Sequence, residues 1–256
     1  MRDLTYPPVI GAAKLAFRLL GQRIDLEGAH HVPRSGGVLL AVNHVGYLDF
    51  VYGGLAANPS GRLVRFMAKQ EIFDHRWAGP LMRSMHHIPV DRGAGLASYQ
   101  AAVDALRAGE AVGIFPEATI SRAMELKEFK TGAVRIAAEA AVPLVPVVLW
   151  GTQRLLTKDR PRDFSRGTTV LIRVGEPHRP RGADPVAETK ALKESMAALL
   201  ERAIGEYPVA EQPPGSWWVP RRHGGTAPSL AEAAELDAAE KAARARRRPD
   251  SPPSVD

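Results

Sequence analysis

The chain has no cysteine, few aromatic residues and no long apolar run. The absence of cysteine excludes disulfides, thiolate zinc sites and a cysteine nucleophile, and it fits a reducing compartment. No apolar run approaches the roughly 20 residues that a membrane-spanning helix needs, and no signal peptide is predicted. Aromatic residues make up 6% of the chain, with no basic–aromatic surface for stacking bases. Nucleic-acid binding is therefore not expected.

What the chain does contain is an apolar core and a positive charge. Its 256 residues are 45% hydrophobic and carry a net charge of +6. Residues 209–256 hold seven basic and seven acidic side chains, so the whole excess belongs to residues 1–208. A basic surface favours anionic partners such as a lipid headgroup or a phosphorylated substrate. The length suits one large α/β domain or two small ones.

Short apolar runs alternate with helical patterns along most of the chain. Strands are predicted at 23–27, 38–42, 63–67, 88–90, 111–115, 143–149 and 168–174. Helices are predicted at 9–20, 50–57, 77–85, 96–107, 131–141, 184–204 and 230–248. This alternation is typical of an α/β protein. We expect a single mixed, largely parallel sheet flanked by helices, preceded by an N-terminal amphipathic helix.

The two ends of the chain are expected to differ from the middle. We divide the chain into a membrane-facing helix (1–22), a catalytic domain (23–208) and a C-terminal strap with a partly disordered tail (209–256). Residues 9–20 form an amphipathic pattern with two cations, which suits either an interfacial helix on anionic lipid or a helix packed on the core. Trp217 and Trp218 suit either a lipid anchor or a packed strap.

A histidine and an aspartate follow the apolar run at 38–42. On a regular helix, His44 and Asp49 would point about 140° apart, but Gly46 permits a turn that brings them together. A carboxylate fixes the tautomer of a neutral imidazole and stabilises the imidazolium, so this pair is a candidate general base. The alternative is that His44 caps a helix and Asp49 faces solvent.

Polar residues follow three of the predicted buried strands. These clusters are Asn43, His44 and Asp49; Asp91 and Arg92; and Glu117, Thr119, Ser121 and Arg122. Functional groups in open α/β sheets collect at the carboxyl ends of strands. Arg92 is the leading cation for an anionic substrate, because a guanidinium binds phosphate in a bidentate manner.

Four blocks in order, NHVGYLD, IPVDR, FPEATIS and VPLVPV, resemble the phospholipid/glycerol acyltransferase family, of the 1-acylglycerol-3-phosphate acyltransferase type. The resemblance covers about residues 23–205. The first block matches the family pattern Asn-His-x4-Asp fully. Three departures stand out, because Pro89 replaces the usual Phe, Ala118 replaces a Gly and Ile120 replaces an Arg.

The resemblance implies acyl transfer from a thioester to the 2-hydroxyl of 1-acylglycerol 3-phosphate, with His44 and Asp49 as the catalytic residues. It implies substrate binding by seven residues, which are Asn43, Lys69, Arg92, Glu117, Thr119, Ser121 and Arg122. Arg122, Lys127 or Lys130 is expected to replace the charge of the missing Arg, and Glu117 to bind glycerol or structure the loop.

No metal or cofactor is expected, and the acyl donor is either acyl-CoA or acyl carrier protein. Because both substrates are amphiphiles, we expect a peripheral protein on the cytoplasmic side of the cell membrane, bound to an anionic surface.

Three alternatives stay open. The first is the same chemistry on another acceptor, such as glycerol 3-phosphate, a lysophospholipid or a glycolipid. The second is a metal-dependent phosphohydrolase built from His44, Asp49, His86, His87, Asp91 and Glu117, since spaced histidines and carboxylates can bind a divalent ion. The third is a lipid-surface protein without catalytic activity, against which the intact His44 and Asp49 argue.

Overall fold

A computed structural model describes residues 3–91 and 95–247. The strands are β1 (Arg23–Glu27), β2 (Val38–Val42), β3 (Val64–Lys69), β4 (Ile88–Val90), β5 (Ala111–Ile114), β6 (Leu144–Trp150) and β7 (Thr169–Val174). The helices are α1 (Tyr6–Leu19), α2 (Asp49–Leu55), α3 (Gln70–Asp74), α4 (Ala78–Ser84), α5 (Gly95–Arg107), α6 (Gly132–Ala140), α7 (Pro185–Glu206) and α8 (Leu230–Arg247).

All seven strands form one sheet in the order β1-β7-β6-β2-β5-β3-β4. Every neighbouring pair is parallel except β6 with β7. The expected single mixed, largely parallel sheet is therefore confirmed, and β1 lies at its edge. The short helix α3 was missed, because its five residues follow β3 with no intervening turn signal.

The sheet is buried on both faces at its centre. Every residue of β2 and β6 is buried. Alternate side chains point to opposite faces of a strand, so Leu39 and Ala41 join the apolar cluster with α5, α6 and α7, while Leu40 and Val42 join the cluster with α2. Helices thus cover both faces, as a parallel sheet requires.

The N-terminal helix α1 packs on the core by one face and leaves the other in solvent. It begins at Tyr6, three residues before the predicted start, because prolines are well tolerated in the first turn of a helix. The Tyr6 hydroxyl donates to the carbonyl of Val64 at 2.7 Å, and Phe17 stacks on Tyr52. Leu15 and Leu19 lie on the exposed face.

Beyond α7 the chain packs against the domain before entering α8. The indole of Trp218 is buried against Trp150 and Tyr207. Of the two interpretations of the paired tryptophans, the structure therefore shows the packed strap. Residues 248–256, whose tail was predicted to be disordered, lie outside the described residues. Among the described helices, none combines the length and the apolar character that spanning a bilayer requires.

Candidate active site

Four neighbouring parallel strands, β6, β2, β5 and β3, end at the same edge of the sheet. His44 follows β2 at the centre of this edge, and Glu117 follows the adjacent β5. Thr152 follows β6 on the other side of β2, and Lys69 is the last residue of β3. The topology alone thus gathers polar side chains from four separate parts of the sequence.

Asp49 is the most heavily hydrogen-bonded group at this edge. Its Oδ2 accepts from the ring Nδ1 of His44 at 2.9 Å and from the backbone N–H groups of Val45 and Gly46, each at 2.7 Å. Its Oδ1 accepts from the Thr152 hydroxyl at 2.6 Å. The carboxylate is completely buried. The predicted turn at 45–46 therefore brings the pair together, and four donors fix the orientation of the carboxylate.

His44 is oriented by Asp49 on one side and by an aromatic ring on the other. Because an ionised carboxylate only accepts hydrogen bonds, Nδ1 of His44 carries the proton and Nε2 has the free lone pair. The imidazole stacks on Phe115 with ring centres 4.1 Å apart, and Phe115 stacks in turn on Phe66. The side chain of His44 keeps 19% of its surface exposed. It is therefore held rigidly and still reachable by a substrate.

The stack of rings explains a glycine in β5. A Cβ atom placed on Gly113 would lie 2.5 Å from the ring of Phe66, which is closer than two carbon atoms can approach. Phe66 fills that space and supports Phe115 from behind. Gly113 thus belongs to the packing that positions the imidazole of His44.

Glu117 ties the His44 segment to the loop at 117–127. Its Oε1 accepts the N–H of His44 at 2.8 Å, and its Oε2 accepts the N–H of Lys127 at 3.0 Å. Burial raises the pKa of this carboxyl to about 7, although the two backbone hydrogen bonds oppose the shift. The expectation that Glu117 structures the loop thus matches the geometry.

Asn43 and Ser121 form hydrogen bonds with the backbone, and their expected contact with substrate stays a prediction. Asn43 is fully buried, and its carboxamide exchanges two hydrogen bonds with the backbone of Leu149 in β6. The Ser121 hydroxyl donates to the carbonyl of Glu125 at 2.6 Å, and the Ser121 N–H donates to the carbonyl of His44 at 2.7 Å. Both residues position the His44 segment.

Three cations beside the loop form what we call the basic cluster, Arg122, Lys127 and Lys158. The Lys127 ammonium donates to the Thr119 hydroxyl at 2.7 Å, which links the cluster to the Glu117 loop. Arg122 is 6% exposed. It was expected to be available to a substrate, but its guanidinium pairs with three carboxylates, which belong to Asp159, Asp237 and Glu240.

Of the two cations expected from the other blocks, the structure describes Lys69, the last residue of β3. Lys69 pairs with Val90 in the parallel register, so it reaches the same edge as the start of the Asp91–Arg92 segment. Arg92 itself lies outside the described residues. Its predicted contact with an anionic substrate therefore stays a prediction, as does that of Lys69.

The departures from the family blocks have clear structural settings. Ala118 has φ of +60°, a conformation that favours glycine, so the alanine occupies a left-handed position with some strain. Ile120 is buried. The expectation that another cation replaces the missing charge stays a prediction, and two of the expected cations, Arg122 and Lys127, belong to the basic cluster.

The histidines of the metal-site alternative do not meet at this edge. His87 is buried, its Nδ1 accepts the N–H of Phe66 at 2.9 Å, and burial lowers its pKa to about 4. His86 pairs with Asp3. Within residues 3–91 and 95–247, no group of three or more His, Asp or Glu side chains is placed to hold a metal ion.

Thr152 is the residue that sequence reasoning missed. It is completely buried, begins a 3-10 turn after β6 and donates to Asp49. The available signal was its position, because it is a polar residue three positions after the end of a predicted buried strand. The rule that drew attention to His44 and Glu117 applies to it equally.

Comparisons with known proteins agree with this geometry. The family model described as Acyltransferase matches residues 23–150. A 1-acyl-sn-glycerol-3-phosphate acyltransferase of Bacillus subtilis is 32% identical over 196 residues, which is 73% of this chain and 93% of that protein. The human alpha enzyme of the same name is 31% identical over 187 residues, covering 65% of this chain and 59% of that protein.

A solved structure supports the fold. The 1-acyl-sn-glycerophosphate acyltransferase PlsC from Thermotoga maritima superimposes with a TM-score of 0.66 at 22% identity, covering 79% of this chain and 81% of that chain. The sequence blocks, the dyad of His44 and Asp49 at the edge of the sheet, and these relatives lead to one conclusion: the chain belongs to the acyltransferase family.

Proposed function

We propose that the protein transfers a fatty acyl chain from an acyl thioester to the 2-hydroxyl of 1-acylglycerol 3-phosphate, giving phosphatidic acid. The observation that carries the proposal is the buried, four-fold hydrogen-bonded Asp49 that orients a partly exposed His44. The named substrate of the Bacillus and human relatives supplies the choice of acceptor.

In the proposed reaction His44 moves one proton twice. Its Nε2 takes the proton from the acceptor hydroxyl while the oxygen attacks the thioester carbonyl. The imidazolium is stabilised by Asp49 at 2.9 Å from Nδ1. When the tetrahedral intermediate collapses, the carbon–sulfur bond breaks and the thiolate takes the proton from His44. The product is an ester and a free thiol, and no acyl-enzyme is required.

We propose that the reaction needs no metal or cofactor, because every proton transfer is assigned to His44. The thioester donor is acyl-CoA or acyl carrier protein. The phosphate of the acceptor carries up to two negative charges and needs several donors when it leaves water. Lys69, Arg92 and the basic cluster are the proposed donors.

We also propose peripheral attachment to an anionic membrane at the cytoplasmic side. Tyr6 of α1 shares one apolar cluster with Phe73 and Met82 of α3 and α4. These three helices and the residue that precedes α4 expose Leu15, Leu19, Ile72, Trp77 and Leu81. Helix α3 begins directly after Lys69, so this apolar surface adjoins the edge that carries the dyad. An amphiphilic acceptor would then reach His44 from the lipid surface.

An acceptor screen tests the proposal. Purified protein is incubated with a long-chain acyl-CoA and one of four acceptors, and products are read by mass spectrometry. The acceptors are 1-acylglycerol 3-phosphate, monoacylglycerol, glycerol 3-phosphate and lysophosphatidylcholine. We expect phosphatidic acid to form fastest and to form equally in a metal chelator. Preference for the phosphate-free acceptor, or loss of product in chelator, contradicts the proposal.

A further inference from the structure

The basic cluster is occupied by carboxylates of the C-terminal helix. Asp237 pairs with all three of its cations, Arg122, Lys127 and Lys158. Glu240 pairs with Arg122 at 2.8 Å and with Lys158 at 3.0 Å. Burial raises the pKa of Asp237, but ion pairing with the three cations outweighs it, and ion pairing likewise outweighs burial on Glu240, so the pKa of each carboxyl lies below its usual value. Both are therefore charged at neutral pH.

The rest of α8 is held weakly. Ala233, Asp237 and Glu240 lie on one stripe of the helix, at i, i+4 and i+7. Among the α8 side chains that the structure describes, Ala233 is buried, Asp237 is half-buried and the others are exposed, including Leu230 and Leu236. A surface cavity of about 510 Å³ lies between α8 and the segment at 221–228. Apolar packing thus contributes little, and the ion pairs are the main attachment.

Helix α8 does not depend on this attachment for its own shape. Ser229 and Glu232 exchange hydrogen bonds between side chain and backbone N–H, which is a capping box. The sequence after it is rich in alanine, the best helix former. A helix formed locally can leave the domain as a unit.

The charge of the occupied cluster matches a specific ligand. Three cations face Asp159, Asp237 and Glu240, so the ion pairs are balanced. If α8 is removed, Asp159 is the one of these three carboxylates that remains. Two of the three positive charges of the basic cluster are then uncompensated. A phosphate monoester carries about 1.5 to 2 negative charges at neutral pH. Lys127 also joins the cluster to Glu117, whose other oxygen contacts the backbone of His44.

We propose that the basic cluster, including Lys158, is a phosphate-monoester site next to the dyad and that α8 closes it by placing Asp237 and Glu240 where the phosphate binds. The identification of the monoester with the acceptor rests on the proposed function. Acceptor phosphate and the α8 carboxylates compete for the same cations, so the acceptor must displace α8 before it is acylated. Four basic residues in 241–247 give the end of α8 an attraction to anionic lipid that favours displacement.

The position of α8 is measured directly with a spin label. Because the chain has no cysteine, Ala238→Cys gives a single labelling site on the exposed side of α8. We expect an immobile label in the otherwise unchanged full-length protein and a mobile label after Asp237→Asn with Glu240→Gln. Glu235→Gln is the control, since it removes one negative charge from the exposed side of the helix without touching the basic cluster and should leave the label immobile.

Adding different ligands to the labelled protein distinguishes the source of the phosphate. Micellar lysophosphatidic acid should mobilise the label of the full-length protein, whereas lysophosphatidylcholine, whose phosphate is a diester, should not. If inorganic phosphate or glycerol 3-phosphate at equal concentration acts equally well, the site takes the phosphate group without its lipid. A label that is mobile from the start, or that no phosphate monoester mobilises, overturns the proposal.

Kinetics give the second readout. A strap that covers the site nine-tenths of the time raises the apparent acceptor KM about tenfold. Asp237→Asn with Glu240→Gln should therefore lower the KM for lysophosphatidic acid by about tenfold, with kcat and the thioester KM unchanged. An acceptor KM equal to that of Glu235→Gln contradicts occlusion. If no acylation occurs but lysophosphatidic acid still mobilises the label, the proposed function fails and the phosphate site stands.

Discussion

Replacing Asp49 with asparagine should lower the catalytic rate of the protein and leave the stability of its fold nearly unchanged. The three donors on Oδ2, from His44, Val45 and Gly46, all require an acceptor. An asparagine can place its carbonyl oxygen there and turn its amide nitrogen towards Thr152, whose hydroxyl accepts as readily as it donates. Every hydrogen bond of the wild-type protein is then replaced, and only the negative charge is lost.

The expected magnitudes follow from this arrangement. Two unit charges about 4 Å apart at an effective dielectric constant near 20 interact by about 4 kcal/mol, so Asp49→Asn should lower kcat about 10²- to 10³-fold. Asp49→Ala instead leaves buried donors without an acceptor, at about 1–3 kcal/mol each. Two backbone N–H groups and the Thr152 hydroxyl are affected, and their total reaches a large part of the 5–15 kcal/mol that holds a typical domain together.

Urea unfolding and initial rates measured on the same preparations check this prediction. Asp49→Asn should unfold within about 1 kcal/mol of the wild-type protein while its kcat falls. Asp49→Ala should be several kcal/mol less stable. The control is Thr152→Ser, which keeps the hydroxyl and should retain most activity. An Asp49→Asn protein with nearly wild-type kcat would refute the role of the charge.

Three further predictions concern pH, backbone strain and lipid binding. A folded-state pKa of about 7 for Glu117, above its ordinary value of 4.5, means that its contribution to stability is present at low pH and is lost as pH rises through 7. The stability of the wild-type protein relative to Glu117→Gln should therefore fall by roughly 2–3 kcal/mol between pH 5 and pH 8, and a constant difference in urea midpoints would contradict it. Ala118→Gly should stabilise the folded protein by about 0.5–1 kcal/mol. The reason is that glycine removes the backbone strain of an alanine at positive φ, and this gain exceeds the entropy that the more flexible glycine loses on folding. A lower thermal midpoint would count against that reasoning. Leu15→Asp with Trp77→Ala should reduce flotation with anionic vesicles at least tenfold and leave the acylation of detergent-dispersed acceptor unchanged, whereas equal flotation would remove this surface from the account.

Much of the fold was accessible from sequence because its strands are short, apolar and separated by clear turns. The predicted bounds of β1, β2 and β4 agree with the structure. The order of strands in the sheet was not accessible, since it depends on which crossovers skip a neighbour. Helix α3 was missed for a local reason, because nothing in Lys69–Gln70 marks the end of a strand.

The site was predicted more completely in its residues than in their contacts. The turn between His44 and Asp49 could be inferred from Gly46 alone. The partners of Asn43, Arg122 and Thr152 could not, because each lies more than 30 residues away in sequence. Such pairings are set by strand order and by the return of the C-terminal helix, and no local pattern in the sequence encodes them.

The proposed reaction depends on His44 as the base that activates the acceptor hydroxyl. The most direct test is the rate of phosphatidic acid formation from lysophosphatidic acid and acyl-CoA by His44→Ala, compared with wild-type protein of equal stability. A positioned general base contributes about 10²- to 10⁴-fold, so we expect a fall of at least about a hundredfold in kcat. A correctly folded His44→Ala protein that turns over within a few-fold of wild type would contradict it.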